Sequence, residues 1–265
     1  MYNFSRKTAE EIQQGALSKI FPLRTPHDTW LFIAPHDDDL IIGCGLLLQA
    51  AKDAGINTDS VIVSDGSMGY CTKEQKKNIG KIRKNETCAA FQLLGLKEPV
   101  WLDYPDTRLS LYSGRYPAKK KDSCAVMGFS GLQNSLTYFM RKSCPSRIFV
   151  PAGTDLHPDH KTVHAETMIS LFHSQGQIWP ELGEPLAFCP EVYESAVYCD
   201  FASSPDIKLE TDSRALEKKL SAIKAWASQA QIESLVNNIR KSGAVEYFRT
   251  FPFNLYAPDH YRKIF

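Results

Sequence analysis

Short runs of apolar, β-branched and aromatic residues alternate along the chain with longer stretches of helical period, and this alternation sets the first expectations. Thr29-Trp30-Leu31-Phe32-Ile33-Ala34 reads as a buried strand. After the polar segment His36 to Asp39 comes Leu40 to Ala54, of helix length and stopped by Gly55. The same order recurs: Ser60 to Ser64 predicts a second strand, Asp65-Gly66-Ser67-Met68-Gly69 a turn, and Arg83 to Leu94, stopped by Gly95, a helix. Val100 to Tyr104 predicts a third strand before the loop Pro105-Asp106-Thr107, and Arg147 to Val150 a fourth after the helical Ser135 to Lys142. Strands separated in this way pair in parallel and place their crossover helices on both faces. The expectation is an α/β fold, a Rossmann-like three-layer sandwich with a mostly parallel sheet.

Glu191 to Cys199 predicts a further strand, and Arg214 to Lys241 is helical in pattern with a break near Ser228, which gives a C-terminal helical elaboration. Gly114 to Gly131, basic and irregular, reads as a surface loop, with Lys119-Lys120-Lys121 solvated within it. Gly243 to Arg249, where a glutamate and aromatics gather, is expected to close over the rim of the crevice. No internal repeat, low-complexity tract or long linker divides the chain, so residues 1–265 are expected to form a single domain.

Composition narrows the partners. A chain of 265 residues is long enough for one large core, burying roughly three quarters of its unfolded surface. Lys+Arg 31 against Asp+Glu 30 leaves a formal charge of +1, which argues against nucleic acid or anionic lipid as the main partner. No stretch approaches the roughly 18 apolar residues of a membrane span. The segment MYNFSRKTAEEIQQGALSKIF lacks the apolar core of a signal peptide, so a cytoplasmic protein is expected. Seven cysteines, spread without a CxxC pair, fit neither a disulfide framework nor a thiolate zinc site.

In an open parallel sheet, ligands collect at the carboxyl ends of the strands, so the loops there should share one crevice. The first loop is Pro35-His36-Asp37-Asp38-Asp39 and the fourth is Gly153-Thr154-Asp155-Leu156-His157-Pro158-Asp159-His160. Taken alone, the aspartate run suits a solvated turn or a helix N-cap, and the HxxH suits surface or core structure. Together, each at the end of a parallel strand, they point to a metal centre. Catalytic zinc takes three N/O ligands and acidifies bound water from a pKa of about 15.7 to about 7. His36, Asp39 and one of the two later histidines supply that set. Asp38, beside a ligand, is placed to take a proton from the water, and the remaining histidine to stabilise an oxyanion or protonate a leaving amine. Gly43-Cys44-Gly45 lacks the third glycine of a dinucleotide motif, since position 48 is Leu48, and reads as close helix packing. His164 reads as packing or solvent-exposed, and Trp226, Phe248 and Tyr256 as core or rim aromatics, with a sugar-stacking role left open.

These loops resemble the PIG-L/LmbE-like zinc-dependent N-acetylglucosaminyl deacetylases. That family's first motif, Ala-His-Pro-Asp-Asp-Glu, aligns with Pro35-His36-Asp37-Asp38-Asp39-Leu40, and its second is intact as His157-Pro158-Asp159-His160. The resemblance also takes in Asp65-Gly66, Gly69, Arg83 with Glu86, Leu94-Gly95, Tyr104-Pro105-Asp106, Lys219-Leu220-Ser221-Ala222-Ile223 and Ser228-Gln229, covering most of residues 29–230. It implies His36, Asp39 and His160 as ligands of zinc or another divalent transition metal. It further implies Asp38 as general base, His157 as oxyanion or acid histidine, and Asp159 orienting His157 by accepting an imidazole N–H. Arg83 and Asp106 are candidate substrate contacts; Arg83 with Glu86 could equally be a surface ion pair at i, i+3.

The activity implied is that of an amidohydrolase acting on linear amides: removal of an acetyl group from an N-acetylated amino sugar, or a conjugate containing one, by metal-activated water. The partner is then a small acetamido-sugar molecule, and assembly of identical copies stays open. Two other classes compete. The Asp37–Asp39 run could hold Mg²⁺ or Mn²⁺ in a nucleotide-sugar glycosyltransferase, although the imidazoles favour a transition metal, and the scaffold could be a non-catalytic sugar-binding protein. Two departures stand out: Asp37 replaces the motif proline and Leu40 its glutamate. Because the local carboxylate count is unchanged, Asp37 is expected to reach the space of the missing glutamate and compensate for it.

Overall fold

The computed structural model describes residues 1–24, 28–262 and 264. Its first elements are strands β1 (Asn3–Lys7) and β2 (Ile12–Gly15), the short helix α1 (Leu17–Ile20), β3 (Thr29–Ala34), α2 (Asp39–Asp53), β4 (Asn57–Ser64), α3 (Ile79–Leu94) and β5 (Val100–Tyr104). There follow β6 (Tyr116–Pro117), β7 (Phe129–Ser130), α4 (Leu132–Ser143), β8 (Arg147–Pro151), α5 (Pro158–Gln175) and β9 (Glu191–Ser195). The last are β10 (Ile207–Glu210), α6 (Ser213–Ile223), α7 (Ile232–Ser242) and β11 (Val245–Phe251).

A nine-stranded sheet runs in the order β2-β1-β10-β11-β9-β8-β3-β4-β5. The strands β5, β4, β3, β8 and β9 pair in parallel, as their apolar runs predict. The expectation of a mostly parallel sheet is corrected by the other half, where β2, β1, β10 and β11 join antiparallel and β11 closes onto β9. These outer strands carry no continuous apolar run. β1 buries Phe4 alone, and in β10 Ile207 and Leu209 alternate with the more exposed Lys208 and Glu210.

Alternation along β3 feeds two cores, because successive side chains leave opposite faces of the sheet. Trp30, Phe32 and Ala34 join Leu47 of α2, Phe91 of α3, Leu220 of α6 and Val236 of α7. Leu31 and Ile33 join Leu136 of α4 and Val163 and Leu171 of α5. Helices therefore cover both faces, and α6 and α7 form the C-terminal elaboration, separated at residues 224–231 around Ser228. The excursion from Gly114 to Gly131 is not irregular throughout: it holds both strands of a small antiparallel pair, β6 with β7. The segment Gly243 to Arg249 does not close over the crevice: β11 lies within the sheet between β10 and β9, drawn there by the inward-facing Glu246 and Phe248.

Glu246 also fixes the helix that carries the first motif. Its carboxylate accepts the N–H groups of Leu46 and Leu47 at 2.7 and 2.9 Å and pairs with Lys219 at 2.7 Å. The Lys219 ammonium in turn donates to the Ile42 carbonyl at 2.7 Å. Gly43 and Gly45 leave room for this: a Cβ on Gly45 would stand 3.0 Å from Lys219 Cγ, and one on Gly43 3.2 Å from the Ala196 carbonyl. The Gly43-Cys44-Gly45 segment is thus a site of close packing. Both charges are almost fully buried, so Glu246→Ala strands an ammonium and should cost about 3–5 kcal/mol. The check is urea unfolding, in which the midpoint falls at unchanged slope. The double variant Lys219→Met/Glu246→Leu should lose less than Glu246→Ala alone; a single variant that unfolds at the parent midpoint would show that the pair does not hold α2.

Candidate active site and metal centre

The parallel strand order turns at β3, which has β4 on one side and β8 on the other. Loops leaving β3 and β8 diverge there and open a crevice at the carboxyl ends. Asp38 occupies the N-cap position of α2, yet its side chain makes no capping bond, so the carboxylate is left for other work. Asp39, one residue on, turns back to accept the His36 N–H at 2.9 Å. At the other loop, Pro158 starts α5, where its missing N–H is not needed. His157 caps that helix by accepting the Asp159 N–H on Nδ1 at 3.2 Å. Its neutral ring therefore carries its proton on Nε2. Burial, then the neighbouring His36 and His160, hold the His157 pKa below the usual imidazole value.

Asp39 Oδ2 is the point of convergence, 3.3 Å from His36 Nδ1 and 3.2 Å from His160 Nε2. Donors held 2.0–2.1 Å from a tetrahedral zinc ion stand about 3.3 Å apart. The outward nitrogens of both rings face carboxylates: His36 Nε2 is 3.3 Å from Asp106 and 3.5 Å from Asp159, and His160 Nδ1 is 3.3 Å from Asp155. A carboxylate on the outer nitrogen fixes a ligand imidazole so that its inner lone pair faces the ion. Among the described residues, the two inward nitrogens, His36 Nδ1 and His160 Nε2, are buried without a hydrogen-bond partner, as is Asp39 Oδ1. This is a donor set that fits a divalent transition metal. Two other groups, His36 with His157 and His160, and His36 with Asp106 and Asp159, also bring donor atoms within 4.8 Å of one another. Burial would raise the Asp39 carboxyl, but His160 and His36 hold it well below the usual range.

Asp159 departs from its expected role. Its carboxylate accepts the Thr107 and Leu109 N–H groups at 2.8 and 3.4 Å and faces His36, while only its backbone N–H meets His157. The cause is its place in the first turn of α5, which sends the side chain toward the loop after β5. The residue that no motif marked is Asp155, fully buried. It accepts the N–H groups of His157 and Tyr198 at 2.9 and 3.1 Å and stands beside His160. The only signal available was a carboxylate two positions before the motif. Tyr198, 55 % exposed on the rim with its ring 5.1 Å from that of His160, was also missed.

Asp38 lies 3.1 Å from Arg83. Burial raises the Asp38 carboxyl above the ordinary range although Arg83 opposes it. The surface pair of Arg83 with Glu86 does not form, because Glu86 instead accepts the Ser228 N–H and O–H, both at 2.7 Å. Asp37 does not take the place of the motif glutamate. It points toward α3 and the turn after α6, accepting from Trp226 Nε1 at 2.7 Å and Thr87 Oγ1 at 3.0 Å and pairing with Arg83. Leu40 is buried in the apolar core. Asp106 accepts the Met68 N–H at 3.0 Å. His164 sits 2.9 Å from Glu194 and against Phe251, apart from the donor set.

The resulting crevice, about 170 Å³, is walled by His36, Asp38, Arg83, Asp106, His157 and Tyr198, with Met68, Gly69, Thr107, Gln229 and Gln231. Among the described residues no helix is long and apolar enough to cross a membrane.

The family model described as PIG-L, GlcNAc-PI de-N-acetylase, matches residues 31–170. An Escherichia coli (strain K12) protein named "Uncharacterized deacetylase YaiS" is 25 % identical over 178 residues, which are 62 % of this chain and 80 % of that protein. Diacetylchitobiose deacetylase of Thermococcus kodakarensis is 27 % identical over 160 residues, 57 % of this chain and 54 % of that protein. Among solved structures, N,N'-diacetylchitobiose deacetylase from Pyrococcus horikoshii, complexed with its inhibitor MPG, superposes with a TM-score of 0.67. It is 26 % identical, and the match covers 89 % of this chain and 90 % of that one. The family match takes in both motif loops and more than half of the 265 residues, so the chain belongs to the PIG-L family, described by its de-N-acetylase.

Proposed function

We propose that the protein is a metal-dependent hydrolase that removes the acetyl group from an N-acetylated amino sugar or a conjugate containing one. The observation that carries this reading is the convergence of His36 and His160 on Asp39, with the uncapped Asp38 carboxylate on the adjoining wall. The diacetylchitobiose deacetylases among its relatives support an acetamido sugar as the substrate class. His36, Asp39 and His160 would hold zinc or another divalent transition metal. Such an ion supplies Lewis-acid polarisation of the carbonyl and a lowered pKa for water.

The chain's own groups do the rest. Asp38 takes a proton as water attacks the acetyl carbonyl carbon, since burial keeps this carboxylate more basic than a solvated one. His157 presents Nε2–H to the oxyanion that develops on the carbonyl oxygen. As the C–N bond breaks, the proton held by Asp38 passes to the departing nitrogen, and the products are acetate and a free amine. Asp106 and Asp159 hold His36, and Asp155 holds His160, in the orientation this requires.

Acetate release is the test, over a panel that includes N-acetylglucosamine and N,N'-diacetylchitobiose. Release should stop on treatment with chelator and return with added Zn²⁺. A protein that transfers a sugar from a nucleotide donor, or only binds sugars, yields no acetate, and that outcome would sink the proposal.

A further inference from the structure

We infer that Asp37, which stands where the family motif has proline, is a positioning residue: it holds Arg83 so that the guanidinium meets the substrate already in place. The inference rests on the crevice being an acetamido-sugar site.

Arg83 is 5 % exposed and reaches the crevice wall from α3. Its Nη2 lies between the carboxylates of Asp37 and Asp38. Asp37 is itself fully buried and is anchored by two further groups, Trp226 Nε1–H after α6 at 2.7 Å and the Thr87 hydroxyl on α3 at 3.0 Å. On the opposite side the guanidinium fills the space that a side chain at position 69 would take, since a Cβ on Gly69 would collide with Arg83 Nη1. Gly69 is tied in turn to Gln229, whose Nε2 donates to its carbonyl at 2.8 Å.

A guanidinium is a rigid fork with five N–H donors. Here the carboxylates engage Nη2, and among the described residues Nη1 makes no hydrogen bond to the protein. Nη1 is therefore available to a hydroxyl or carbonyl oxygen in the crevice. Arginine is long and flexible, and a free one would lose that freedom on binding; Asp37 fixes it beforehand, which favours affinity. A proline side chain at position 37 would offer no acceptor to Arg83, Trp226 or Thr87. Asp37 thus belongs to the substrate grip, not to the metal.

The test is a double-variant cycle of Asp37→Asn, Arg83→Ala and both together, with zinc content, kinetics of acetate release and calorimetric binding of glucosamine measured on each. Asparagine keeps a carbonyl acceptor for Trp226 and Thr87, so the fold is retained while the charge facing Arg83 is removed. Asp37→Asn should raise KM about tenfold, leave kcat within about threefold and leave zinc content unchanged. In the Arg83→Ala background the same change should alter KM less than about twofold, because its effect runs through Arg83. Trp226→Phe removes the N–H that anchors Asp37 together with part of a fully buried ring; at unchanged zinc content it should raise KM less than Asp37→Asn does and leave KM unaltered without Arg83. A fall in kcat at unchanged KM, a loss of zinc, or full multiplication of the two single effects overturns the inference. If the unmodified chain releases no acetate, the hydrolase reading falls and calorimetry decides this one alone. Equal losses of glucosamine affinity in the two single variants and in the double support it; independent losses, or no binding by the unmodified chain, overturn it.

Discussion

Alanine at His36, Asp39 or His160 is expected to leave the protein without its divalent ion and without acetate release. In the proposed centre each side chain would supply one of three donors, and two donors hold a transition metal poorly against water. The loss should exceed the roughly 10- to 100-fold that an outer carboxylate contributes to metal affinity or activity. Asp155→Ala and Asp106→Ala, which remove the carboxylates behind His160 and His36, provide that comparison; both should bind more weakly yet fill at high zinc. The measurement is metal content after dialysis, read beside turnover. It also separates the three donor groups that the structure brings together. Retention of the ion by Asp39→Ala, with loss in His157→Ala, would assign the ion to the three histidines; loss in Asp106→Ala at saturating zinc would assign it to His36, Asp106 and Asp159.

The parallel half of the sheet was legible because strands covered on both faces must be apolar throughout, as Trp30 to Ala34 is. The antiparallel half was not, for a reason visible at Glu246. An inward-facing carboxylate paired with Lys219 breaks the apolar signature of β11 although it is almost fully buried. At the site, the motif loops were legible because histidines and carboxylates in tight spacing at strand ends have few other uses. Side-chain direction was not. Asp37, Asp38 and Asp39 are consecutive, yet one turns to Trp226 and Arg83, one to the crevice and one back to His36. No period governs such a turn, so the expectation that Asp37 replaces the glutamate at position 40 had only composition behind it. Asp155 escaped for a related reason: its value lies in holding His157, His160 and Tyr198 together, and the tyrosine arrives from beyond β9.

Asp38→Asn is expected to keep its metal and lose most of its turnover. The amide oxygen preserves an acceptor for Arg83, which stands 3.1 Å from the native carboxylate, so the crevice wall keeps its shape. What disappears is the ability to take a proton, a contribution of about 10²- to 10⁴-fold for a general base. The deficit should fall on kcat, with KM little changed, because the interaction removed is one made as the water attacks. Asp38→Ala serves as the harsher comparison: it also frees one side of Arg83, so its KM should rise where that of Asp38→Asn does not. The assignment of roles along the aspartate run stands or falls on metal content in these variants beside Asp39→Ala. If Asp38→Asn emptied the site while Asp39→Ala left it filled, base and ligand would be exchanged, and Asp39 Oδ2 would owe its closeness to His36 and His160 to ion pairing alone.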